Sequence, residues 1–184
     1  MAYTLDAFCR DCAASLRADP GPGGKERVRQ DLERLLAEKA FVAAHCGPDA
    51  EPGVHVLHRD PEIGFCVLAH INREPRSSPP HDHGTSWAIY GQATAYTDMT
   101  EYRRLEGGSG PGEARLEVTR RYQLKPGHAG LYDVGAIHAI AYGDDARFVR
   151  VTGADLEHVP RLKFDLEKQT AVLVESATMQ RAPA

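Results

Sequence analysis

The chain has 184 residues, enough for one domain with a sizeable core and little room for a second. Its composition, 42% hydrophobic and 26% charged with 17 Gly and 12 Pro, excludes a collagen-like, disordered or disulfide-built chain. No apolar run reaches the roughly 18 residues of a membrane span, the opening Met1–Asp6 lacks the pattern of a secretory leader, and a net charge of −4 offers no basic field to a polyanion, so a cytoplasmic protein with neither membrane nor nucleic-acid partners is expected.

In chain order, Leu5, Phe8, Cys9, Cys12, Ala13 and Leu16 recur at steps of three and four, predicting an amphipathic helix over residues 3–18. Asp19-Pro20-Gly21-Pro22-Gly23-Gly24 reads as the breaker that ends it. Cys9-Arg10-Asp11-Cys12 is a CxxC without a second copy, so its two thiols are expected reduced and packed on one helical face rather than holding zinc or a redox centre. From Lys25 to Cys46, Val28, Leu32, Leu35, Leu36, Val42 and Ala43 fit the helical period, and Gly47-Pro48 closes the run. Residues 1–47 thus form a cap of two helices, the second laying Val28, Leu32, Leu35 and Leu36 on the outside of the rest of the domain.

From about residue 54 the period changes. Val54–Leu57, Gly64–Ile71 (apolar enough to be buried on both faces), Trp87–Thr97, Leu116–Leu124, Leu131–Val134, Ile137–Tyr142 and Arg147–Thr152 are predicted strands, punctuated by Gly-rich turns such as Gly107–Gly112. Many short strands after a helical cap indicate an antiparallel sandwich or barrel over residues 54–153, followed by a C-terminal extension over 154–184, in a single domain.

Of nine histidines, six (His45, His55, His58, His70, His128 and His158) have no useful mutual spacing and are expected at the surface or satisfied in the core. His81-Asp82-His83 differs. In a strand the two imidazoles project to one side and Asp82 to the other, so both can reach one metal ion. His138, in Gly135-Ala136-Ile137-His138, is the third candidate ligand; spacing alone leaves open whether its strand meets the first.

Pro80-His81-Asp82-His83-Gly84-Thr85-Ser86-Trp87 and Gly127…Gly135-Ala136-Ile137-His138 resemble the two motifs of the cupin superfamily. The resemblance implies an all-β core, a double-stranded β-helix (jelly-roll-like) barrel with the two N-terminal α-helices before it. Pro75 stands where the first motif has Gly, Asp133 and Tyr142 replace a Pro and an Asn of the second, and Trp87 and Ala88 stand where a carboxylate ligand is usual. A site of three histidines without a carboxylate is similar to that of the thiol dioxygenase branch, the cysteine and 3-mercaptopropionate dioxygenases. Likeness to that branch implies Fe(II) on His81, His83 and His138, with Zn, Ni or Mn as other divalent occupants, and O2 with a small thiol as substrates.

The departures bear on the substrate. Where bacterial members carry Ser, His and Tyr on one strand face, this chain has Phe148, Arg150 and Thr152. Ala88 matches the position of the cross-linking cysteine of the mammalian enzymes, and Arg59 lies near but out of register with their substrate arginine. Arg150 is therefore the candidate anchor for an anionic thiol if its face lines the cavity, and a surface ion-pair partner if the face is inverted. Trp87, the sole tryptophan, is either a pocket wall or core. The resulting expectation is an iron(II)-dependent dioxygenase turning a thiol into a sulfinate, with a cupin oxygenase on a non-thiol substrate and a non-catalytic small-ligand-binding cupin as alternatives.

Overall fold

The computed structural model of the chain describes residues 2–175. Three helices open it, α1 (Leu5–Ala18), α2 (Pro22–Leu36) and α3 (Lys39–Cys46), where periodicity predicted two. The Thr4 hydroxyl caps α1 by accepting the Ala7 N–H at 3.2 Å. The supposed breaker is half helix: Pro22 needs no N–H partner in a first turn, so α2 starts there and takes Gly23 and Gly24 with it. Gly24 suits this close entry, because a Cβ on it would lie 1.8 Å from the Asp19 carbonyl oxygen. The apolar pattern runs on past Leu36, but the helix stops at Glu38, which is extended and accepts the Tyr3 N–H at 2.9 Å.

Among the described residues twelve strands come next: β1 (Gly53–Arg59), β2 (Cys66–Ile71), β3 (Arg76–Ser77), β4 (Ala88–Thr94), β5 (Thr97–Glu106), β6 (Gly112–Glu113), β7 (Arg115–Leu124), β8 (Ala129–Tyr132), β9 (Ile137–Tyr142), β10 (Arg147–Thr152), β11 (Arg161–Asp165) and β12 (Thr170–Val174). All paired strands are antiparallel. One sheet has the order β1-β2-β10-β4-β8 and the facing one β3-β9-β5-β7. The chain crosses repeatedly from one sheet to the other, which makes the barrel a double-stranded β-helix of jelly-roll type. β8 begins and ends two residues before the predicted run, because Asp133 turns the chain, its carbonyl accepting the Ala136 N–H.

Side-chain alternation splits the five-stranded sheet into two faces. Val67, Ala69, Ile71, Ile89, Val149 and Val151 point outward and pack with Phe8, Cys12, Val28, Leu32 and Leu35 of the helices. Ala88, Tyr90 and Phe148 point inward and meet Met99, Leu124, Tyr132 and Tyr142 in the barrel. The helix seat depends on Gly91, where a Cβ would stand 2.6 Å from Leu36 Cδ1 and 2.7 Å from Leu32 Cδ2. Lys25 ties α2 to the barrel through Asp133 at 2.5 Å. Cys9, Cys12, Cys46 and Cys66 are buried free thiols, and burial raises the thiol pKa of each, as expected for packing rather than redox groups.

The described part of the C-terminal extension folds back onto the barrel. β11 and β12 form a sheet with β6, and β11 lies beside residues 80–82, which in turn pair with β9: His81 bridges both His138 and Lys163. Residues 176–184 of that extension lie outside the described residues. Among the described residues no helix is long and apolar enough to cross a membrane.

Candidate metal site and cavity

The HxH segment is held more locally than a strand. Only His81 makes a ladder-type bridge, exchanging backbone hydrogen bonds with His138 at 2.9 and 3.0 Å, and residues 82–84 leave the ladder. The predicted geometry survives because Asp82 anchors the turn: its Oδ1 accepts the Gly84 N–H at 3.0 Å and the Leu162 N–H at 2.8 Å. Gly84 has φ +60, and a Cβ on it would lie 2.0 Å from the Pro160 carbonyl oxygen, so no other residue fits there. His138 sits on β9, one position after Ile137, with its ring turned into the barrel.

The three imidazoles converge. Ring centroids are 5.5 Å apart for His81 and His83, 4.8 Å for His81 and His138 and 5.0 Å for His83 and His138. One nitrogen from each lies within 4.8 Å of the others, and among the described residues no carboxylate joins the cluster. Two nitrogens on one ion stand at most about 4.2 Å apart, twice a metal–imidazole bond of about 2.1 Å, so an ion would draw the widest pair inward. The donors suit such an ion. His81 Nδ1 is 3.0 Å from the Pro79 carbonyl, which, by taking its N–H, leaves Nε2 as a free lone pair. His83 Nδ1 and both nitrogens of His138 are buried without a hydrogen-bond partner. Burial is also the main reason that all three stay neutral and therefore able to ligate: it lowers His81, pushes His83 down to about 3 and holds His138 well below the ordinary imidazole range.

A cavity of about 240 Å³ opens on this cluster. Arg150 lines it, on the inner face of β10, and its Nε is buried without a partner. Phe148, stacked on His70 with centroids 4.6 Å apart, lines it as well. The inward reading of that strand face is therefore the one the structure has. Thr152 is buried, its hydroxyl donating to the Ala154 carbonyl at 2.7 Å.

Trp87 is not a pocket wall. Ala88 and Tyr90 take the inward positions, so strand alternation sends Trp87 to the helix side, where it is 8% exposed and packed over Gly153. Arg59 points elsewhere and pairs with Asp155 at 3.2 Å.

Several cavity residues escape the sequence reading, His70 and Tyr90 among them. His70 is no satisfied core histidine: its Nε2 is buried and unpartnered, it lines the cavity, and burial keeps it well below the usual range. Tyr90 brings its hydroxyl to 3.2 Å from His83 Nε2. The inward parity of Ala88, Tyr90 and Gln92 on β4 is the signal that finds Tyr90; nothing local marks His70. Behind His138, the Tyr132 ring lies 4.0 Å away, centroid to centroid, and its hydroxyl is 2.6 Å from that of Tyr122.

No known protein-family pattern matches the chain, and no curated protein does. Among solved structures it is similar to the cupin domain of Schizosaccharomyces pombe Cnp3 (11% identity, TM-score 0.44, 59% of this chain and 66% of that one). KdgF from Halomonas sp. (14%, 0.41, 56% and 81%) and a cupin superfamily protein from Desulfitobacterium hafniense (12%, 0.39, 58% and 84%) are similar at the same level. The chain's own topology thus defines a double-stranded β-helix barrel with three histidines gathered beside a cavity that His81, His83 and Arg150 line.

Proposed function

We propose that the chain is a cupin and a non-haem iron(II) dioxygenase that converts a small anionic thiol into its sulfinate. The observation that carries this reading is the gathering of three neutral imidazoles with no carboxylate among them, beside an arginine whose buried Nε has no hydrogen-bond partner, among the described residues. The reaction balances as R–SH + O2 → R–SO2H: sulfur gives four electrons, dioxygen takes them, and no outside reductant is needed. Iron(II) on His81, His83 and His138 would supply the coordination that brings thiolate and dioxygen together.

The chain's own residues do the rest. Their burial keeps the three rings neutral, so their lone pairs stay available at neutral pH. Arg150 offers a forked, permanently charged donor to a carboxylate at the other end of the thiol. The Tyr90 hydroxyl, at 3.2 Å from His83, can donate a hydrogen bond to a substrate atom placed beside that ring. Phe148 and Ile140 give the cavity apolar walls.

A second reading, oxygenation of a non-thiol substrate, is favoured by one feature: Phe148, Arg150 and Thr152 supply none of the Ser, His and Tyr of the bacterial thiol dioxygenases. Metal analysis of protein purified without chelator, then oxygen uptake with cysteine, cysteamine and 3-mercaptopropionate, separates the two. The expected result is one iron per chain and uptake matched by sulfinate, strongest with acidic thiols. Uptake with non-thiols alone establishes the second reading, and ligand binding without turnover leaves a binding protein.

A further inference from the structure

The cavity is cationic well beyond the needs of one carboxylate. Arg76, Arg150, Arg161 and Lys163 line it with no Asp or Glu among the lining residues, although acids outnumber bases in the chain, 26 to 22. None of the four makes an ion pair among the described residues. Cations facing a shared confined space repel one another unless an anion lies between them. Resting on the dioxygenase reading only in taking this cavity as the substrate site, we propose that it is built for a substrate with two separated anionic groups. Arg150 holds one beside the histidines, and Arg161 and Lys163 hold the other at the rim.

The two anchors stand on different elements. Arg150 projects from β10 of the five-stranded sheet, whereas Arg161 and Lys163 project from β11, across the HxH segment from β9. Two residues apart on a strand, Arg161 and Lys163 share a side, and both reach the cavity. Asp82 sets this register: its carboxylate accepts the Leu162 N–H at 2.8 Å and its own N–H donates to the Leu162 carbonyl at 3.1 Å. The residue between two imidazoles thus fastens the strand that carries the rim cations, so the two anchors keep a fixed separation. Arg76 adds a fourth charge to the lining, near Tyr142, whose hydroxyl donates to Asn72 Oδ1 at 3.0 Å. A fixed pair of cationic sites selects by the spacing of the ligand's charges as well as by their number.

Isothermal titration of the purified protein with propionate, succinate, glutarate and adipate, in low-salt buffer, tests this. At least one dicarboxylate should bind ten or more times tighter than propionate, with a clear optimum of chain length. The double variant Arg161→Met/Lys163→Met should lose the preference, its affinity for every dicarboxylate falling to that for propionate. Lys163→Gln, a single change at a partly exposed side chain, should reduce it in the same direction if the double variant unfolds. Arg150→Met should weaken mono- and dicarboxylates alike. Equal binding of propionate and every dicarboxylate, or a preference that survives both rim variants, overturns the proposal. These ligands carry no sulfur, so a retained preference without thiol oxidation overturns the dioxygenase reading alone. Oxidation of monocarboxylic thiols without a preference overturns this inference alone.

Discussion

The two faces of the five-stranded sheet are made by the same strands and have opposite characters. On β10, Val149 and Val151 enter a closed apolar layer with the helices, whereas Phe148 and Arg150 enter the cavity. On β4, Ile89 goes one way and Tyr90 the other. Apolar burial on the outside leaves the inside free to carry groups that are poor for stability: imidazole nitrogens and an arginine Nε that are buried without a partner among the described residues, each costly away from water. Neighbouring residues on one strand can therefore serve stability and chemistry separately, and substitutions on the two faces should have separable effects.

The largest expected effect is on the outer face. Leu35, fully buried, should lose about 2–5 kcal/mol of stability as Leu35→Ala. Denaturant unfolding measures it, and metal binding by the remaining folded protein should be unchanged; a loss of metal without a loss of stability would show that the faces are coupled.

The inverse holds inside. His83→Ala should lower metal affinity by more than about 100-fold, above the range for groups that only support a ligand. The metal-free protein should lose less stability than Leu35→Ala does, since the truncation opens a cavity and frees the Tyr90 hydroxyl but also removes an unsatisfied buried nitrogen. Arg150→Met should raise the KM for an acidic thiol about ten- to a hundredfold, the equivalent of about 1.5–3 kcal/mol for a charge-assisted pair. Arg150→Lys should restore only part of that, an ammonium lacking the second parallel hydrogen bond. The uncharged amide of the same thiol should respond to neither change.

The smallest effect sits where the faces are tied. Lys25 hydrogen-bonds Asp133 and holds its carboxyl below the usual range. A folded-state pKa below that of the unfolded chain gives stability that is present above about pH 4 and is lost as the pH falls through the folded value. Because Asp133 is 43% exposed, Asp133→Asn should cost less than about 1 kcal/mol at pH 7, and that cost should shrink as the pH falls below about 4.

How much the sequence revealed depends on the range of each interaction. Helix seams and the alternation of Arg115–Leu124 are local and were legible. So were His81, His83 and His138, because two fall on one short segment and the third in a motif of fixed spacing. Trp87 was open between wall and core because its position relative to β4 is a matter of one residue, and one residue reverses the face. Pro22-Gly23-Gly24 misled because the same residues that break a helix also start one. His70, Arg161 and Lys163 were illegible for a different reason: their place in the cavity comes from strand pairings far along the chain, β2 with β10 and β11 with residues 80–82, and no local pattern encodes those.

The seating of Trp87 over Gly153 has an optical consequence. It is the chain's one indole, buried in the layer between helices and sheet and absent from the cavity lining. Its emission is therefore a built-in gauge of whether the helical cap is docked, short in wavelength when the cap is seated and red-shifted when water reaches the ring. Gly153 makes the gauge sensitive, since a Cβ there would lie 2.4 Å from the indole Nε1. Light collected from one side of a strand thus reports on cohesion, while occupancy of the other side is followed by its own signals.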